Sequence, residues 1–497
     1  MRPSSILALV LLAPLLSSPA VGAPADDPRP IVPASEILAK IERGEPVAYD
    51  GVIVVGDLDL SGVELPIKNV ERSERSESMG LTAGARVVES SISIRNSEIR
   101  DIVSFRRVQL SGDTNFAGAE FRGRADFEEA QFTGVADFKN AKFCDVADFD
   151  GAQFTGEADF TGAEFGGRAD FDGAEFTGDA DFTVAQFSDV AFFDGAQFSG
   201  NAYFSRYAQF SGNAYFREAE FSGDTDFSAI FGGDACFEGA KFSSYADFFM
   251  AIFSGNVDFR WAEINSYAAF NGAQFSGDAD FKWAQFRETA YFNNAIFNNT
   301  DLIFNDAKIY ILHLSDSTFE NGSTISLERT DYERLYVHWD QIKDGFVYNG
   351  EAYLALVRNF KTIEYFEDAD ACYYQYRRER QSMRSWLERA KYVDILAWLT
   401  CGYGVRPGYT LGLGFFAVLA SALYYWRTGA IRRLKGNEEE SANFWDAFYF
   451  STMTFTTVGY GDWYPLDRHR KVVMLEGIVG WLTLSLFLVT LANVIIR

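Results

Sequence analysis

The chain has 497 residues, too many for one compact domain and enough for roughly three units of about 150 residues each. Its 70 acidic against 44 basic residues give a formal charge of −26. This excludes a nucleic-acid-binding surface, which needs clustered positive charge, and suits a protein that concentrates cations or is kept soluble by self-repulsion. Three histidines, and four cysteines (Cys144, Cys236, Cys372, Cys401) without CxxC spacing, offer no zinc site, disulfide framework or His-based centre. No enzyme activity and no cofactor is expected.

At the N-terminus, Arg2 precedes an apolar run over residues 6–16 and small residues ending in Ala23-Pro24-Ala25. This is the pattern of a secretory signal peptide cleaved before Asp26, and the run is short of the ~20 residues needed to span a bilayer. Residues 1–25 are therefore read as a signal peptide or N-terminal anchor. Residues 35–44 (SEILAKIERG) predict a short helix N-capped by Ser35, and 52–55 and 58–60 predict strands. Residues 34–110 are read as an N-terminal cap with first strands.

From Phe116 to Phe297 the chain repeats with a period of eleven, as in ADFDGAQFTGE and ADFTGAEFGGR. Phenylalanines fall alternately five and six apart (Phe127, Phe132, Phe138, Phe143, Phe149, Phe154), each with Ala two positions before it. An eleven-residue helical repeat is conceivable, but Gly, Thr, Ser, Asp and Asn at the remaining positions are poor helix interiors. Short Phe-centred strands joined by tight corners fit instead.

These units resemble the pentapeptide-repeat family, A-[DN]-[LF]-x-x. The resemblance implies a right-handed quadrilateral β-helix, here over 111–325, with Phe stacked inside and Ala filling the space beside it. Because every second unit has six residues, a coil of about 22 residues is expected, or a bulge at one corner of each face. Residues 302–327 exchange Phe for Ile and Leu, as a terminal cap would. Asp126, Asp137, Asp148, Asp159, Asp170 and Asp181 point outward as acidic ladders. A rigid spacer or assembly surface is the favoured role, with an unknown protein docking on the solenoid as the alternative. Some members of the family use such surfaces to imitate DNA and bind topoisomerases.

Residues 326–404 read as a helical linker in which Tyr353, Leu356, Val357 and Phe360 form an amphipathic stripe. Arg377, Arg378, Arg380, Arg384, Arg389 and Lys391 then crowd the approach to the next segment, where cations attract anionic lipid headgroups by about 1 kcal/mol each.

Residues 405–497 hold two uncharged stretches, 407–426 and 477–496, each long enough to cross a membrane. Between them, 444–455 predicts a short helix carrying Phe444, Trp445 and Thr454, followed by Thr456 and then Thr457-Val458-Gly459-Tyr460-Gly461-Asp462. The TVGYG sequence in this setting resembles the filter of two-helix potassium channels. The resemblance implies K+ held by Thr457, Val458, Gly459 and Tyr460, with Gly459 and Gly461 supplying unusual dihedrals. It further implies Val458 and Tyr460 side chains braced on the pore helix, four chains around one pore, and a gating hinge at Gly480. Glu476 is read as a hydrogen-bonding group behind the filter, a cation-steering acid or a plain interfacial carboxylate. No arginine-rich voltage sensor is present, and the chain stops at Arg497.

A cleaved signal peptide would put the repeats outside the cytoplasm and the pore loop inside, the reverse of the resemblance. Either the N-terminal run is a third span, or residues 392–404 enter the membrane, or the pore is inverted; the cleavage-site pattern favours extracytoplasmic repeats. The expected function is a tetrameric potassium-selective channel in the cell membrane, among lipids, with a solenoid that caps, anchors or gates it. The alternative is a membrane-tethered scaffold whose pore does not conduct.

Overall fold

The computed structural model describes residues 28–69, 84–435, 438–459 and 461–495. The N-terminal segment 1–25 and the filter residue Tyr460 lie outside the described residues.

A four-sided β-solenoid fills residues 31–336. Its strands pair in parallel with a register of 22 residues, as in Ala125↔Ala147 and Phe132↔Phe154. Two faces are sheets of 13 and 12 strands. The other two are continuous as one sheet of 23 strands, because Gln285–Tyr291, Lys308–His313 and Asp331–Tyr336 run round the corner between them. The coil is therefore the enlarged one, and its extra residues sit in the corners.

Phenylalanine fills the interior because successive coils place rings directly above one another. Phe149 stacks on Phe127 and Phe171 at 4.8 Å and meets Phe160 edge-on at 5.5 Å. Such pairs contribute about 0.5–1.5 kcal/mol beyond their burial. The alanines beside them are also buried, in a slot between the ring stacks that Thr225 and Val257 fill where the repeat departs from alanine.

The five–six alternation has a backbone cause. Each five-residue side closes in a tight turn, as in the Ala152 N–H to Phe149 carbonyl bond of 3.0 Å, with Gly151 left-handed at φ 65°. Many six-residue sides bend around a glycine pressed on the coil beneath it. A Cβ on Gly156 would lie 2.6 Å from the Gly134 carbonyl oxygen, so a side chain there would force the backbone to shift, although Asp145 and Asp189 hold the equivalent position on other coils.

The outward aspartates form two ladders, Asp126–Asp148–Asp170 and Asp137–Asp159–Asp181. They are not free surface charges. Each accepts a hydrogen bond from the backbone N–H two residues on, as Asp159 does from Thr161 at 2.9 Å, and so holds its corner as an Asx turn. Asp159→Asn, which keeps the acceptor, should leave the thermal transition nearly unchanged. Asp159→Ala should cost about 1 kcal/mol, read as a lowered midpoint in circular dichroism.

Both ends differ from the sequence reading. Helix α1 (Ala34–Glu42) starts directly from the strand Ile31–Pro33, with Pro33 rather than Ser35 at the N-cap. That strand pairs with Ile53–Val55, which fixes where the helix begins. Val47–Asp50 pairs with Ile92–Arg95, and Leu58–Asp59 with Val103–Ser104. The described strands between 47 and 110 thus already belong to the solenoid sheets, and position 111 is no boundary.

At the other end the solenoid passes 325 and closes with the strand Asp331–Tyr336. Helices α2 (Trp339–Ile342), α3 (Gly350–Thr362) and α4 (Phe366–Met383) then cover it. Tyr353, Leu356 and Phe360 are buried on the same core as the last coils. Asn359 acts as one residue of a missing strand: its amide donates to the Leu335 carbonyl at 2.7 Å and its oxygen accepts the Leu335 N–H at 3.0 Å. Most of the predicted linker 326–404 is therefore a terminal cap that satisfies an open sheet edge. Only α5 (Arg389–Cys401) connects this cap to the C-terminal helices.

Candidate ion pathway

Helix α6 (Pro407–Thr428) begins with Pro407 in its first turn, where a missing N–H costs nothing, and ends at left-handed Gly429. Helix α7 (Phe444–Phe455) opens with a reciprocal cap, Asn443 and Asp446 each bonding the other's backbone N–H at 3.0 Å. Helix α8 runs over Arg470–Ile495, seven residues earlier than the predicted start at 477. Glu476, which bounded the uncharged stretch 477–496, lies inside the helix. Both α6 and α8 are long and apolar enough to cross a membrane.

Helix α7 descends between them. Near its start Phe444 meets Trp426 at 5.8 Å, further along Phe450 meets Tyr425 at 5.4 Å, and at its end Phe455 reaches Gly414 and Gly480. The chain then turns back: Thr457 N–H bonds the Thr454 carbonyl at 3.1 Å and Val458 N–H the Met453 carbonyl at 3.0 Å. It rises to Trp463, buried with Tyr425, Ile431 and Ala447, and Tyr464–Pro465 pairs with Ile431–Lys435. In the returning segment Thr457, Gly459 and Gly461 are left-handed, at φ 59°, 52° and 74°.

The predicted site residues take different places around this turn. Thr456 donates its hydroxyl to the Thr452 carbonyl at 2.8 Å, and Thr457 to the Thr456 carbonyl at 2.7 Å. Thr454 is half-buried on α7, and Asp462 is exposed. Val458 is 57% exposed and Trp445 72% exposed. The bracing of Val458 on the pore helix is therefore not made within one chain, whose filter edge is open on that side.

Gly480, the expected hinge, is a contact position. It lies inside the continuous helix α8, where a Cβ would overlap the Phe455 carbonyl oxygen and come 2.8 Å from the Phe455 Cα. It is the point where α8 touches the end of α7.

Sequence reasoning missed the groups that tie the three helices together. Tyr425 is fully buried and donates to Glu476 Oε2 at 2.5 Å. Ser451 of α7 bonds Glu476 Oε1. Of the three readings of Glu476, the buried hydrogen-bonding group is the one found. A serine directly after the aromatic run Phe448-Tyr449-Phe450 was the available signal. Glu476→Ala should leave the buried Tyr425 hydroxyl without its acceptor, at about 1–3 kcal/mol, while Ser451 keeps the Val418 carbonyl at 2.9 Å; thermal stability and ion flux in liposomes should fall, and Glu476→Gln should retain most of both.

Residues 412–497 match a family profile described as ion channel. Residues 94–142, 138–186 and 262–308 match pentapeptide repeats, in nine copies. No curated protein and no solved structure matches the chain significantly. Fold and matches together define the class: a β-solenoid of pentapeptide-repeat type followed by a membrane segment of ion-channel type. Neither matched family is an enzyme family.

Proposed function

We propose that four copies of this chain form a potassium-selective channel, with residues 457–461 of each lining one ion path. The observation that carries the reading is the alternation of left-handed backbone at Thr457, Gly459 and Gly461. Alternating handedness turns successive carbonyls to one side, which replacement of an ion's hydration shell requires. One strand surrounds nothing, and the exposed Val458 and Trp445 edges are where neighbouring copies would close the ring. Carbonyls of Thr457, Val458, Gly459 and Tyr460 would hold K+, aided by the negative end of α7.

The solenoid stands at the end of α8 remote from the filter. The turn at Gly402–Gly404 joins α5 to α6, and a Cβ on Gly404 would lie 3.9 Å from the Asn493 side chain of α8. A solenoid movement would thus reach both long helices, which supports a gating role over a passive tether.

Reversal potentials of the reconstituted chain in mixed K+ and Na+ test the reading. Potassium should dominate, and Gly459→Ala should abolish the preference, because alanine at φ 52° costs about 1–2 kcal/mol in every subunit. Equal permeability of the unaltered protein would sink potassium selectivity. Absence of any flux would favour the membrane-tethered scaffold.

A further inference from the structure

Helix α5 is built inside out. Asp394 is 5% exposed and turns toward α4, where Arg377 Nη2 lies 2.7 Å from Oδ1 and Arg384 holds Oδ2. Lys391, also buried, donates to the Arg384 carbonyl at 2.6 Å and lies 4.2 Å above the Trp386 ring. Trp398 donates its indole N–H to Tyr374 Oη at 2.9 Å, under the Arg378 guanidinium. The outward side carries Tyr392, Val393, Leu396 and Leu399, all more than half exposed, and Leu387 just before the helix is 94% exposed. A helix on a water-facing surface does the opposite, hiding its apolar stripe and exposing its charges.

Two observations identify what covers this face. The first is continuity: only residues 402–406 separate α5 from Pro407, where the outward side chains of the first span begin with Leu411, Phe415 and Phe416. The second is charge. In a chain of net charge −26, residues 377–406 hold seven basic against three acidic side chains, and Arg380, Arg389 and Arg406 are exposed.

We propose that α5 lies along the membrane surface, its face of Tyr392, Val393, Leu396 and Leu399 sunk among lipid chains and its arginine rim on anionic headgroups. Thirteen residues make a helix of about 20 Å, too short for a bilayer core of about 30 Å. Crossing would also drag the Asp394 cluster into hydrocarbon. Residues 392–401 therefore lie on the membrane rather than span it, and they set the height at which the solenoid cap stands above the lipid. This rests on the membrane reading of α6 and α8 but not on ion conduction.

The test places a nitroxide on Leu396→Cys, Phe416→Cys or Val135→Cys, one at a time, in the full chain. Exposed Cys144 and half-buried Cys236 are replaced by serine, and the chain is reconstituted in vesicles of phosphatidylcholine with or without phosphatidylglycerol. Collisions with oxygen, which partitions into lipid, and with a water-soluble nickel chelate report depth. The expected result is oxygen access and nickel shielding at 396, shallower than at 416, and the reverse at 135. Removing phosphatidylglycerol should shift 396 toward nickel; identical depth in both vesicles would overturn the headgroup contact. Position 396 as open to nickel as 135, with 416 in lipid, would overturn the proposal and leave the membrane reading standing. Nickel access at 416 would overturn the membrane reading itself. Shielding of 396 from both reagents would show that protein covers the face, and would equally overturn the proposal.

Discussion

Gly480→Ala is expected to dismantle the pore rather than to change its gating. The added methyl would overlap the Phe455 carbonyl oxygen and meet the Phe455 Cα at 2.8 Å. Both are backbone atoms at the end of α7, so no side-chain rotation relieves the clash; the two helices must separate. Overpacking in a well-packed core costs about 1–3 kcal/mol, and more where backbone has to move. In a tetramer every subunit would bear that cost. The separation would also release Phe455 from Gly414, which its ring packs against, and displace the turn that leads into Thr457. The measurable outcome is loss of K+ flux together with a lowered unfolding temperature in detergent. A hinge would behave differently, because alanine is an excellent helix former: stability would hold or rise and only open probability would change. An alanine variant with an unaltered unfolding temperature would support the hinge reading.

Phe160→Asp is expected to unfold the central coils of the solenoid. Phe160 is fully buried, stacked on Phe138 and Phe182 at 4.9 Å and edge-on to Phe149 and Phe171 at 5.5 Å. Loss of a buried Phe side chain alone costs about 3–5 kcal/mol, and an unpaired carboxylate adds its desolvation. Phe160→Leu should cost far less, since the volume is largely kept. Because each coil contacts only its neighbours, the damage should be local, and hydrogen exchange should rise in the coils around 138–182 before it rises at either end. Uniform exchange over 31–336 would instead mean that the solenoid unfolds as one unit. Any isolated fragment for this comparison must run to about residue 384. Ending at 320 would remove the strand Asp331–Tyr336 and the cap helices that bury Tyr353 and Phe360, leaving a raw sheet edge.

The parts of the molecule that could be read from the chain are those whose information is local or repeated. Phe and Ala at fixed spacing specify an interior because the same slot recurs in every coil, so one reading of residues 116–297 is checked many times over. The left-handed positions at Gly459 and Gly461 were legible for a similar reason, since glycine marks the backbone angle itself. The left-handed Thr457 carries no such mark, and only the structure reveals it. The aspartate ladders were legible as positions but not as roles. Whether an Asp side chain faces water or caps the next corner depends on a turn geometry that composition does not specify.

Everything that depended on a partner distant in sequence needed the tertiary structure. Asn359 reads as an ordinary helical residue until Leu335, 24 positions earlier, offers it an open strand edge. Glu476 reads equally as a hydrogen-bonding group, a cation-steering acid or an interfacial carboxylate until Tyr425 and Ser451 converge on it from two other helices. Lys391 reads as one of the cations crowding the approach to the membrane, and the structure turns it inward onto the Arg384 carbonyl while Asp394 meets Arg377 on α4 and Arg384 just past its end. The sequence alone determined a Phe-filled solenoid and a glycine-marked segment between two apolar helices, since periodicity and glycine angles are written residue by residue. Which polar groups are buried, where the solenoid closes and which glycine is a contact were decided by packing, because a charge or a missing Cβ acquires its meaning only from the atoms that fold against it.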